Sequence, residues 1–178
     1  MNADPPRFPA ANADLVRQRL RSVFDTLRPE ALVSSAACGA DLLALDVAGA
    51  LGIRRRIVLP FEPERFRHTS VVDRAGQWGS LYDRIIEEVG TSGDLVVWQG
   101  QAEGDDVYAA ITSVLLEEAA ELARHSDGSV TAVLVWDGQR RGSDDLSFAF
   151  GKEARRRGFR IVEVSTLREA VAAAAIEG

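Results

Sequence analysis

Short apolar runs alternate along the chain with longer segments whose apolar residues recur every three or four positions. The short runs predict buried strands at 31–37, 55–60, 94–98, 129–138 and 159–164. The helical spacing predicts helices from Asn12 or Asp14 to Leu27 and over 40–51, 71–89, 107–125, 146–157 and 166–176. The prolines of "PFEPERFRHTS" (60–70) predict an extended loop between the second strand and the third helix.

This order of elements predicts the fold class. Strands that are apolar on both faces and alternate with helices are typical of a parallel sheet covered on each side. We therefore expect an α/β fold, a three-layer Rossmann-like domain with a mostly parallel sheet. The sequence contains no repeat and no low-complexity linker. Residues 1–12 are expected to be an irregular leader and 13–178 a single domain.

The amino-acid composition limits the kinds of partner and the cellular compartment that we expect for the protein. The net charge of −6 argues against nucleic-acid binding, and the arginine runs at 54–56 and 155–157 are interpreted as solvated helix ends. The single cysteine excludes an internal disulfide and suits a reducing compartment. No apolar run approaches the about 20 residues of a membrane span, and the first residues lack the apolar core of a signal peptide. We expect a cytoplasmic protein with neither metal nor cofactor.

A binding site in such a fold lies at the carboxyl ends of the strands. Ala37, Cys38, Gly39 and Asp41 follow the first predicted strand. Backbone amides at the start of the next helix favour an anion there, and Asp41 could accept hydrogen bonds from a ribose diol. The alternative is that Gly39 makes the turn while Asp41 caps the helix.

Two further features near these strand ends have alternative interpretations. Cys38 is a candidate nucleophile with His68 as its base, or else a small buried thiol. Asp137 and Gly138 end the fourth strand, where the aspartate binds either a ligand or the amides of its own loop. Ser147 begins the following helix and either meets a phosphate or forms an ordinary N-cap.

The segment "SSAACGADLLALDVAGALGIRRRIVLPF" (34–61) resembles the signature of the SLOG superfamily, the Rossmannoid group around the LOG and DprA/Smf proteins. It is most similar to bacterial SLOG-like domains found beside TIR, cyclase or repeat modules. The resemblance extends from about 7 to 164 and includes "HTSV", with Thr69 and Ser70, and "VYAAIT", with Tyr108 and Thr112. It implies a domain that binds nucleotides or nucleotide-derived signals such as forms of ADP-ribose. In LOG-like and deoxyribosyltransferase-like relatives it implies cleavage of N-glycosidic bonds.

Three departures from the family pattern bear on function. The first strand of the relatives is missing or is replaced by another segment. Asp145, Leu146 and Ser147 stand where the relatives have a Gly-Gly-Thr phosphate cradle, and a carboxylate beside a polyanion is unfavourable. The catalytic glutamate of the hydrolytic relatives has no counterpart at 148–150, and Thr112 replaces an asparagine.

Three hypotheses follow, in order of preference. The first is a non-catalytic SLOG-like domain that binds a nucleotide-derived small molecule in a cavity shared by the amides beside Gly39 and the chain around Asp137. The second is a degenerate interaction or homo-oligomerisation module, in which the missing strand leaves an edge or groove that pairs with another chain. The third is an N-glycoside hydrolase acting on nucleoside monophosphates. The residues expected to bind the ligand are Ala37, Cys38, Gly39, Asp41, Thr69, Ser70, Tyr108, Thr112, Asp137, Gly138 and Ser147.

Overall fold

The computed structural model describes residues 8–73, 76–100, 104, 106–142 and 145–168. Helices and parallel strands alternate along them, which confirms the predicted α/β, Rossmann-like fold class. The strands are β1 (Ala31–Ser34), β2 (Arg54–Leu59), β3 (Leu95–Val97), β4 (Thr131–Trp136) and β5 (Arg160–Ser165). After a 3₁₀ turn at Ala10–Asn12, the helices are α1 (Ala13–Leu27), α2 (Ala40–Ala50), α3 (Pro63–Ser70), α4 (Trp78–Thr91), α5 (Asp106–His125) and α6 (Leu146–Arg156).

The strands form two separate parallel sheets rather than one. The first has the order β1-β2-β3, with Ala31 opposite Arg54, and the second pairs β4 with β5, with Thr131 opposite Arg160. Within the described ranges no backbone hydrogen bond joins β1 to β4. The layer of strands is therefore divided between β1 and β4.

All the strands nevertheless point the same way. The Asn12 side chain, at the start of α1, donates from Nδ2 to the carbonyl of Thr166 just after β5, at 2.9 Å. The ring of Phe8, also before α1, lies beside Gly39 just after β1. The carboxyl ends of β1 and β5 thus both adjoin the start of α1, and β4 is parallel to β5.

Helix α1 packs on both sheets and spans the division between them. Its buried side chains Val16, Leu20 and Phe24 recur every four residues along one face. They share one apolar cluster with Leu43, Val47 and Ala48 of α2 and Val164 of β5, against which Leu32 of β1 and Val133 and Val135 of β4 also pack. On the opposite face of the layer, α5 contacts β1, β2 and α6.

Three predicted boundaries are wrong. The segment expected to be an extended loop contains α3, because Pro63 occupies the first turn of the helix, where its missing N–H removes no hydrogen bond. Strand β1 stops at Ser34 instead of 37, and α4 begins at Trp78 instead of 71. The final predicted helix lies mostly outside the described residues, and its first three positions, 166–168, are not helical.

The arginines of the run at 54–56 were wrongly expected to lie at a helix end. They begin β2, and each forms an ion pair. Arg54 donates to both carboxylate oxygens of Asp94, at 2.8 and 2.7 Å, and Arg56 adds a third bond to Asp94 at 3.3 Å. Arg55 pairs with Glu88. The second run does lie at a helix end, since Arg155 and Arg156 are in the last turn of α6.

Asp94 fastens the start of β3 to the start of β2, so we expect Asp94→Asn to destabilise the fold. The paired Arg54 guanidinium holds the pKa of Asp94 below its usual range. The stabilisation that the ionised Asp94 gives the fold is therefore fully present above about pH 4 and is lost as the pH falls through the pKa of Asp94 in the folded state. The expected loss at pH 7 is about 1–2 kcal/mol, which lowers Tm by about 2–8 °C in thermal unfolding.

The matched control is Asp83→Asn, which breaks a similar two-pronged pair with Arg67 on the exposed surface. Exposed pairs contribute about 0–1 kcal/mol, so this variant is expected to unfold close to the wild-type temperature. Equal losses in the two variants, or a loss in Asp94→Asn that persists at pH 2, would contradict the role given to Asp94.

Candidate functional site

The division between the sheets is a cleft of about 1110 Å³. Strands β1 and β4 form its two sides. The apolar side chains of α1 and α5 lie above and below, including Leu20 and Phe24 from α1 and Ile111 and Leu115 from α5. The cleft runs the full length of the strands, from Pro29 and Ser129 at their amino ends to Asp41 and Ser147 at their carboxyl ends.

Most of the residues expected to bind a ligand come together at the carboxyl end of this cleft. The β1–α2 turn contributes one group, the end of α3 a second, and the starts of α5 and α6 the remainder. Those that line the cleft are Ala37, Cys38, Asp41, Thr69, Ser70, Tyr108, Thr112 and Ser147.

The structure does not place Gly39, Asp137 and Gly138 on the cleft. Gly39 has φ +93° and ψ −119°, a backbone conformation that suits glycine, and its outer side faces the ring of Phe8. Asp137 serves its own loop: it accepts the Gln139 amide at 3.1 Å, and its other oxygen pairs with Arg141. Its side chain is only 2% exposed. Gly39 and Asp137 therefore do not line the cleft between the sheets, and the cavity predicted to be shared by the two stays a prediction.

Asp41 has a different structural role from the helix cap considered above. The N-cap of α2 is Gly39, and the Asp41 carboxylate instead reaches back across the turn. Its Oδ2 accepts the Ser35 hydroxyl and, at 3.2 Å, the Ala37 amide. Oδ1 has no hydrogen-bond partner among the described residues. Asp41 thus holds the β1–α2 turn with one oxygen and leaves the other for the cleft.

The electrostatic state of Asp41 follows from these surroundings. Burial raises the pKa of its carboxyl group, and the bonds from Ser35 and Ala37 oppose that effect without cancelling it. None of the ion pairs formed between described residues includes Asp41. A partly buried carboxylate without a cationic partner is a frequent feature of functional sites.

The nucleophile hypothesis for Cys38 receives no geometric support. The Cys38 amide donates to the Ser70 carbonyl at 2.9 Å, which ties the β1–α2 turn to the end of α3. The thiol belongs to a partly buried residue. His68 is exposed on α3 and does not line the cleft. The histidine that does, His125, lies at the opposite, amino end.

The start of α6 is capped by Asp145 rather than by Ser147. The buried Asp145 accepts the Phe148 amide at 3.0 Å through Oδ1 and the Arg141 amide at 2.8 Å through Oδ2. The sequence identified Asp145 only as an obstacle to a phosphate, whereas it is a structural cap. Ser147 is consequently not needed as a cap and lines the cleft.

Charge is distributed unevenly along the cleft. The charged residues that line its amino end are Arg28, Glu30, Arg54 and Arg160, and those at its carboxyl end are Asp41 and Asp73. The described lining between the two ends carries no formal charge. Sequence reasoning missed Ser35 and Asp73; a serine late in an otherwise apolar run was the available signal for Ser35.

Two classes of site are not seen in the part of the chain that the structure describes. No three His, Cys, Asp or Glu side chains are grouped closely enough there to hold a metal ion. None of the described helices combines the length and the apolar character needed to cross a bilayer.

Comparison with known proteins adds nothing to this geometry. Neither a protein-family model, nor a curated protein, nor a solved structure matches the chain. The resemblance to the SLOG superfamily accordingly remains a hypothesis that rests on the residues themselves.

Proposed function

We propose that the domain binds a nucleotide-derived small molecule at the carboxyl end of the cleft and does not transform it. The observation that carries the proposal is the carboxylate of Asp41, which faces a group of hydroxyl side chains without a cation to neutralise it. The hydroxyl groups come from Thr69, Ser70, Tyr108, Thr112 and Ser147.

The chemistry of this end suits a ribose. The free Oδ1 of Asp41 is an acceptor for the adjacent O–H groups of a sugar diol, and charge-assisted bonds of this kind are the stronger ones. The hydroxyls of Thr112 and Thr69 already donate to helix carbonyls, at 3.1 Å to Tyr108 and 3.2 Å to Arg65, so their oxygens serve as acceptors. Two apolar residues that also line the cleft, Ile111 of α5 and Leu146 at the start of α6, provide surface for a base.

The same end is less suited to a polyphosphate. No described arginine or lysine lines it, whereas the carboxylates of Asp41 and Asp73 do, and a carboxylate beside a polyphosphate is unfavourable. A phosphate there would depend on the backbone amides at the start of α2. We therefore expect a nucleoside or a nucleoside monophosphate to bind more tightly than a diphosphate of the ADP-ribose kind.

One observation favours a second function, N-glycoside hydrolysis. A carboxyl group whose pKa is raised by burial is the form that a general acid takes in glycosidases, and Asp73 is a second carboxylate at this end of the cleft. Non-catalytic binding is preferred because Asp41 is engaged in holding its own turn and Asp73 is exposed.

Ligand binding is tested by isothermal titration of the wild-type domain with adenosine, AMP, ADP-ribose and NAD. We expect at least one of them to bind, and Asp41→Asn to weaken that binding by about 10- to 100-fold, since a hydrogen bond to a charged group contributes about 1.5–3 kcal/mol. The control is Asp14→Asn, which changes an exposed aspartate in the first turn of another helix, α1. An absence of heat with all four ligands, or equal weakening in both variants, would overturn the proposal. Chromatographic detection of free adenine would replace it with hydrolysis.

Asp41 is also expected to lower the stability of the fold at neutral pH. Because burial raises its pKa, the folded state binds the proton more tightly than the unfolded chain, and stability falls as the pH rises from about 4 through the folded pKa. Asp41→Asn keeps an acceptor for Ser35 and Ala37 without the charge. It is expected to unfold at a higher Tm than wild type at pH 7.5, by about 2–4 °C for each kcal/mol gained, and at nearly the same Tm at pH 3.5. A lower Tm at pH 7.5 would show that the charge is compensated.

A further inference from the structure

We propose that the cleft between β1 and β4 accepts a β-strand from another polypeptide, which pairs in parallel with both edges and joins the two sheets into one. This goes beyond the proposed small-molecule site, which occupies only the carboxyl end of the cleft. The proposal rests on four features of the cleft: its unpaired edges, its size, its apolar faces and its distribution of charge.

Both strand edges that face the cleft have backbone groups to pair. In a parallel ladder each strand directs half of its N–H and C=O groups to each side. β1 pairs only with β2 and β4 only with β5 within the described ranges. The other side of each strand therefore presents donors and acceptors to the cleft, and such edges are templates for strand addition.

The size of the cleft matches one strand. A strand of six residues occupies a slab about 4.8 Å wide, about 10 Å thick and about 20 Å long, or roughly 950 Å³. The cleft measures about 1110 Å³ and extends along five of the six residues of β4 and all four residues of β1. A small molecule at one end would leave most of the two edges unpaired, whereas an extended peptide pairs with both along their length.

The faces of the cleft specify the side chains of the strand. Leu20 and Phe24 of α1 lie on one face, and Ile111, Leu115 and Leu116 of α5 lie on the other. A strand between them buries both of its faces. The donor is therefore a continuous run of about six apolar, β-branched residues rather than an alternating one.

Charge and direction complete the description of the donor. β1 and β4 point the same way, so the donor runs parallel to both and begins beside Arg28, Glu30 and Arg160, three exposed residues whose charges sum to a net positive value. An acidic residue at the start of the donor complements the amino end of the cleft, and a basic residue after the end of the donor complements Asp41 at the carboxyl end. Among the described residues, a second copy of this chain offers no such strand, since each described strand is already paired with a neighbour.

The test uses the full chain and a fluorescent peptide, EEVLVVVGKK, with its reversed sequence KKGVVVLVEE and the variant EEVLPVVGKK as controls of matched length. We expect saturable binding of the first peptide by anisotropy and at least tenfold weaker binding of both controls. The reversed peptide can match the charges at the two ends of the cleft only by running antiparallel to both edges, and the proline removes one N–H donor of the ladder. Hydrogen exchange is expected to slow at 31–34 and 131–136 when the first peptide is bound.

A variant of the protein provides the complementary measurement. Ala119→Trp places a large ring from α5 into the cleft and is expected to weaken peptide binding at least tenfold, whereas Ala109→Trp, at an exposed position of the same helix, leaves it within twofold. Should Ala119→Trp fail to fold, as judged by circular dichroism, the exchange measurement on the wild type decides.

Four outcomes would overturn the proposal. These are no binding of the first peptide, equal binding of the forward and reversed peptides, slowed exchange that excludes both edges, and slowed exchange at both edges that rises with protein concentration without peptide. The last would assign the cleft to a second copy of the chain. None of these outcomes depends on whether the small-molecule ligand exists, because every measurement is made without it.

Discussion

The packing of α1 across two unconnected sheets is the constraint on which the rest of the structure depends. In most parallel sheets the backbone ladder fixes the spacing of the strands. Between β1 and β4 that ladder is absent from the described structure, and the burial of Val16, Leu20 and Phe24 keeps the two sheets together on one face. The hydrophobic effect is not directional, so it holds the halves together without closing the space between them.

This arrangement explains why one cleft has two distinct ends. Its middle is apolar because α1 and α5 both turn hydrophobic faces toward it, and polar groups are confined to the places where chain turns enter and leave the strands. The carboxyl end collects the turn side chains of four elements, as the geometry of parallel strands requires. Burial raises the pKa of Asp41 at this end, and a carboxyl group in such surroundings suggests a role other than stability.

The sequence was sufficient to predict the five strands and five of the six described helices, all but α3, because their apolar residues follow strand or helix periodicity. It also indicated most of the residues at the carboxyl end, because that prediction requires only the direction of the strands. That Gly39 and Asp137 do not line the cleft could not be predicted, because it depends on their contacts with Phe8 and Arg141, and the periodicity of the sequence carries no information about such contacts.

The division of the sheet could be predicted only in part. The family resemblance implied that a first strand is either missing or replaced by another segment, but pattern alone could not show whether β1 and β4 would close against each other. The structure keeps them apart, with side chains of α1 and α5 lining the space between them. Similarly, the prolines at 60 and 63 were interpreted as breakers, although Pro63 starts a helix.

The buried side chain of Asn12 has a consequence for the order in which the chain folds. Its Nδ2 reaches the Thr166 carbonyl, and its Oδ1 accepts the Arg168 guanidinium at 3.2 Å, so the beginning of α1 is fixed by residues more than 150 positions later. Contacts of such long range form slowly, because a large loop must close first. A chain emerging from the ribosome can therefore pack α1 on α2 early, whereas the bonds that fix the start of α1 form only after β5 has been synthesised.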